Sequence, residues 1–271
     1  TEIDTWSANV LSSGPGSGLG VLPRKVRKQL EKAGIAVETT LSGAHSYLTM
    51  VRGESWAVGA PHRVLVPELY CGIMAVTEVA ERRECPYGRH RDALLGDDLC
   101  DARCQNEVLY QLNQENPFCI TVGFPCDPWS PISNMYLDQT RETKRVEGMR
   151  HLLFLRRLWK NARTWNAYML LENPLSSQAW KYLTWLSDGG FYAALTHQCG
   201  TSLVDCFGMP VLKPTRFFTN SLCLANALND IRCPGHASRG AVIGLAAGVS
   251  SRLGAWTKDL ADVIIDGLLQ Q

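Results

Sequence analysis

The chain has 271 residues, 45% hydrophobic and 20% charged, with a formal net charge of +1. That is enough to bury a core in one large α/β domain, and the near-neutral charge excludes a histone-like polycation. No uninterrupted apolar run reaches the roughly 18 residues of a bilayer span, and the ten irregularly spaced cysteines read as thiols of an intracellular, reducing compartment.

Residues 1–60 read as an N-terminal extension. SSGPGSGLG at 12–20 is a Gly/Ser linker. Leu22 to Ala33 predicts a short helix carrying Arg24, Lys25, Arg27, Lys28 and Lys32, with Pro23 near its start and Gly34 at its end. IAVETT and SYLTMVRG are strand-like. No basic segment followed by an apolar core marks a secretory leader.

Residues 61–271 read as the main domain. VLVPELY predicts a strand and MAVTEVAERR the helix after it; NEVLYQLNQ predicts a second helix, and FCITVGF a buried strand leading into PCDPWS. RVEGMRHLLFLRRLWKNA predicts a long helix with Met149, Leu152, Leu153, Leu155 and Leu158 on its apolar side, followed by the strand AYMLLENP. WKYLTWLS predicts a helix, YAALTHQ and TRFFTN predict strands, and LADVIIDGLLQQ predicts a closing helix. Alternation of strands and helices predicts a doubly wound, mostly parallel sheet with helices on both faces.

Three of these strands carry chemistry at their carboxyl ends: Glu68 with Gly72, Cys126 with Ser130, and Glu172 with Asn173. Ligands gather in the crevice beyond such ends. A thiol on a tight loop there suits nucleophilic attack when positive charge lies near, and a carboxyl after the apolar run YMLL suits general acid work. Glu172 and Asn173 also suit capping of a helix beginning near Ser176.

The order of ELYCG, GFPCDPWS, ENPLSSQAW, HQCG, KPTRFFTN and CPGH over residues 64–271 resembles the cytosine-5 DNA methyltransferases, most nearly the divergent methyltransferase-like reading frames associated with protist retroelements. The resemblance implies a class I methyltransferase (Rossmann-like) fold, S-adenosylmethionine as cofactor and DNA as partner. It places Glu68, Tyr70, Gly72 and Pro125 at the cofactor, with Asp98 toward the adenine. It makes Cys126 the nucleophile on C6 of a flipped cytosine, Glu172 the holder of N3 and the exocyclic amine, and Arg216 a further anchor of the base.

The pattern also departs from the family. Met74 stands where a second glycine is usual, Asp127 adjoins the thiol with Arg141, Lys144 and Arg145 as candidate counter-charges, and the ribose-binding acid is unassigned between Glu84 and Asp92. The recognition region is reduced to about residues 222–250. Two readings follow: an active methyltransferase, nuclear in a eukaryote or in an organelle if a targeting segment preceded residue 1, or an inactive fold serving as a binding or structural subunit of a larger complex. Cys223, Cys233 and His236, with Cys199 and Cys206 upstream, lack paired C-x-x-C spacing, so the expectation is unligated thiols and no metal.

Overall fold

The computed structural model describes residues 64–205, 207–237, 240 and 256–271. The linker, basic helix and first two strand-like stretches lie outside them. Five strands form one sheet: β1 (Glu68–Leu69), β2 (Cys119–Val122), β3 (Tyr168–Pro174), β4 (Tyr192–His197) and β5 (Pro214–Thr219). Their spatial order is β1-β2-β3-β5-β4. The first three are parallel, and β5 is antiparallel to both its neighbours. This is the α/β class I methyltransferase fold, with one inverted strand slotted between two that run alike.

Each strand follows from its residues. All four positions of β2, Cys-Ile-Thr-Val, are buried, as a strand covered on both faces requires. In β5, Thr215, Phe217 and Thr219 are buried while Pro214, Arg216 and Phe218 are half-buried, so one face is sealed and the other partly open. The first strand is shorter than VLVPELY suggested, because Pro67 lacks an N–H for the ladder.

Helices cover both faces. On one lie α2 (Ala102–Glu115) and the long α3 (Asp138–Thr164), which pack Leu109, Leu112, Leu155 and Leu158 against Ile120 and Leu171. On the other lie α1 (Ala75–Arg82), α5 (Leu222–Asn229) and α6 (Lys258–Leu269), which pack Val76, Leu228, Ile264 and Leu268 against Leu170 and Phe217. Side-chain caps start three of them: Asp101 for α2, Ser221 for α5 and Thr257 for α6. WKYLTWLS is not one helix but a 3-10 turn, Gln178–Lys181, and a single turn α4, Trp185–Asp188. Aromatic packing of Trp180 and Trp185 into the core decides that segment over helical periodicity.

Candidate active site

Because β1, β2 and β3 are parallel, their carboxyl ends share one edge of the sheet. Gly123, just past β2, marks the meeting point. A Cβ built there would lie 3.5 Å from the Tyr70 carbonyl, 3.5 Å from the Trp256 ring and 3.6 Å from Glu172 Oε2.

The thiol loop is held by packing. Asn173 Nδ2 donates to the buried Phe124 carbonyl at 2.6 Å, tying the end of β3 to the loop after β2. Cys126 begins the turn Asp127–Trp129, its carbonyl accepting from Trp129 N–H at 2.9 Å. Trp129 is 2% exposed, its ring 5.0 Å from that of Tyr182. Pro128 and Trp129 press against Gly148 of α3, where a Cβ would stand 2.8 Å from each. Trp180 donates to the Pro174 carbonyl at 3.0 Å and meets Phe124 edge-on at 5.6 Å. The tryptophans of PCDPWS and ENPLSSQAW are therefore the packing that places Cys126.

Glu172 is buried and bonded by the Trp256 indole, with Lys213 Nζ at 3.8 Å from Oε1. Burial pushes its carboxyl up, with Lys213 opposing, which favours the protonated form. Burial also pushes the half-buried Cys126 thiol up; Glu172 and Asp127 add to this and Lys213 opposes it. Asp127 is itself held by Lys144 and by Tyr136, whose hydroxyl donates at 2.8 Å. Of the three candidate counter-charges only Lys144 serves: Arg141 pairs with Asp138, and Arg145 reaches toward Gln178 at 3.4 Å.

Arg216 is not brought to Glu172. It pairs across the ladder with Asn173, while Glu172 pairs with Phe217, so the arginine belongs to the opposite face of the sheet. Lys213, within the quoted KPTRF segment but given no role there, is the cation beside the acid. A lysine directly before a strand carries no sequence signal of its own, and only the inverted β5 brings it in.

Three of the residues that the resemblance assigns to the cofactor, Glu68, Tyr70 and Gly72, lie at the end of β1 and in the turn after it. Tyr70, Gly72 and Met74 all have left-handed φ, at 56°, 52° and 58°. For the two non-glycines such backbone costs about 1–2 kcal/mol each, a strain that collects at ligand-binding turns. Glu68 is buried, and Oε2 accepts from both Thr77 N and Thr77 Oγ1 at 3.0 Å, capping α1. Its desolvation outweighs those bonds and raises its pKa to about 7. Tyr70 donates to or accepts from His151 Nδ1 at 2.9 Å, and His151 Nε2 faces Cys100 Sγ at 3.2 Å. Burial holds this thiol and imidazole neutral, the thiol pushed up to about 11 and the imidazole down to about 4. Pro125 is half-buried beside Cys126, and Asp98 is exposed, its carboxylate accepting from Cys100 N–H at 2.9 Å.

Of Glu84 and Asp92, Asp92 is the one that stands beside the turn after β1. Residues 86–91 run beside β1 through the parallel bridges Val66 to Tyr87 and Leu69 to Arg91, an irregular edge without the apolar alternation that marks a strand in sequence. Asp92 closes this edge, and its two oxygens accept from Gly72 N–H at 3.0 Å and Leu94 N–H at 2.8 Å. Glu84 stands before the edge, in the turn after α1.

No protein-family model and no curated protein matches the chain. Among solved structures, the crystal structure of the S. pombe Dnmt2 methyltransferase is similar at 16% identity and a TM-score of 0.27. The alignment covers 58% of this chain and 49% of that one, so this chain spans about half its length. The class I fold stands on strand order and direction, not on this likeness. Among the described residues no helix is long and apolar enough to cross a membrane.

Proposed function

We propose that this chain is an S-adenosylmethionine-dependent cytosine-5 methyltransferase-like domain acting on DNA. The observation that carries the reading is the gathering of Cys126, Glu172 and Lys213 at adjoining strand ends, a nucleophile, a buried acid and a cation. Cytosine C5 is a weak nucleophile until a thiolate adds at C6, and a proton at N3 stabilises the product of that addition. The base must leave the stack for either contact. In this scheme the Cys126 thiol gives its proton to solvent, its Sγ forms the bond to C6 as the C5–C6 double bond opens, the protonated Glu172 passes its proton to N3, and Lys213 offsets the charge on the thiolate and on the carboxylate left behind.

The turn after β1 fits the cofactor: its left-handed backbone is that of a glycine-rich loop, nothing lies within 4 Å of where a Gly72 Cβ would be, and Asp92 and Asp98 flank it. Glu68, Tyr70, Gly72, Asp98 and Pro125 would hold it, and it would supply the methyl electrophile. DNA is the proposed partner, and a reducing compartment keeps Cys126 a thiol.

A second reading, an inactive fold acting as a structural or binding subunit of a larger complex, is favoured by the raised Cys126 thiol and by the Met74 side chain at the cofactor turn. Titration calorimetry with S-adenosylhomocysteine separates the two. The enzyme reading expects saturable binding to the native chain that weakens in Asp92→Ala; heat-silent mixing at millimolar ligand, with intact fold, refutes it.

A further inference from the structure

We propose that Cys199, Cys233 and His236 form a zinc site that clips the end of β4 to the segment after α5. The inference is independent of the methyltransferase reading. The two sulfurs and one imidazole nitrogen all lie within 4.8 Å of one another. Cys223, grouped with Cys233 and His236 in sequence, is not in this cluster; it sits in α5.

Two segments distant in sequence are brought together to make it. Cys199 lies in the 3-10 turn Gln198–Thr201 and is buried. The turn approaches the segment 231–233 so closely that a Cβ on Gly200 would stand 2.6 Å from the Arg232 carbonyl. His197 N–H donates to the Ile231 carbonyl at 3.2 Å, and Cys233 N–H donates to His197 Nδ1 at 3.2 Å. Pro234 and Gly235, the latter at φ 86°, then turn the chain so that His236 comes back onto Cys233. The His236 Nε2 atom is buried and has no hydrogen-bond partner among the described residues. Burying an imidazole nitrogen without a partner costs free energy that a metal bond would remove.

Two thiolates and an imidazole are the donor set that a borderline-soft, tetrahedral ion takes, with Zn–S near 2.3 Å and Zn–N near 2.0 Å, so ligand atoms sit about 3.5–3.8 Å apart. A contraction of about 1 Å seats the ion, and three protein ligands leave a fourth position for water or a further side chain. Each thiol loses its proton to solvent as its sulfur bonds the metal. The clip also reaches the candidate active site, because Gln198 N–H in the same turn donates to the Lys213 carbonyl at 3.2 Å.

The test is metal content by mass spectrometry on the full chain, purified reduced and without chelator, followed by replacement of zinc with Co²⁺. One zinc per chain, and intense visible cobalt absorption with thiolate charge transfer, are expected. His236→Asn and Cys233→Ser should lose the zinc and the charge-transfer band, while Cys223→Ser should keep both; circular dichroism reports the fold of each. If a variant unfolds, the native chain still decides. A folded native chain that takes up neither zinc nor cobalt at equimolar metal overturns the proposal, as does a cobalt spectrum unchanged in folded Cys233→Ser.

Discussion

Gly148→Ala sets two effects of known size against each other. In a helix interior alanine is favoured over glycine by about 1 kcal/mol, so local propensity alone predicts a more stable protein. The added methyl, however, would stand 2.8 Å from Pro128 Cβ and Trp129 Cζ2, and 2.9 Å from Trp129 Cε2. Carbon atoms pack best at about 3.5–4.0 Å, so three contacts overlap by nearly 1 Å. The indole cannot retreat, being buried against Tyr182. Overpacking of this kind costs about 1–3 kcal/mol, and its upper range applies. The net destabilisation is about 1–2 kcal/mol, a fall in Tm of about 2–8 °C for a domain of this size. Scanning calorimetry measures it, and the labelling rate of Cys126 by a thiol reagent should change in parallel, since the same turn carries both residues. A Tm raised by about the propensity difference, with unchanged labelling, would refute the claim that this packing positions the nucleophile.

The buried Glu68 makes stability pH-dependent. Its folded pKa of about 7 lies above the ordinary 4.5, so its contribution is full below about pH 4.5 and is lost as pH rises to about 7, about 3 kcal/mol in all. Denaturant titrations across that window should show stability falling with pH, and Glu68→Gln should flatten the slope. Lys144→Ala removes the partner of Asp127, so the pH profile of Cys126 alkylation should move to higher pH, while Asp127→Asn should move it lower. Met74→Gly relieves left-handed strain of about 1–2 kcal/mol and clears the cofactor turn, so S-adenosylhomocysteine should bind more tightly by calorimetry, with Tm unchanged or higher.

Much of this was legible in residue pattern. FCITVGF and AYMLLENP became β2 and β3 because buried central strands are continuous apolar runs, and the α3 and α6 segments showed a helical period. What pattern could not show were tertiary overrides. The edge at residues 86–91 is irregular and pairs only through isolated bridges, so Asp92 had no strand to announce it. The motif points Arg216 toward the base, yet the alternation of β5 puts it on the other face from Glu172, and Lys213 stands beside the acid. Tyr70 gave no hint of His151, which lies 81 residues away and arrives only through the packing of α3.

The central claim, that Cys126 is a nucleophile toward cytosine, meets its most direct test in covalent trapping. The chain is incubated with S-adenosylmethionine and duplex DNA containing 5-fluorocytosine, then resolved under denaturing conditions. The account predicts a shifted protein–DNA adduct that requires the cofactor and disappears in Cys126→Ala. No adduct from a folded chain that binds both DNA and cofactor, or an adduct that persists in Cys126→Ala, contradicts it.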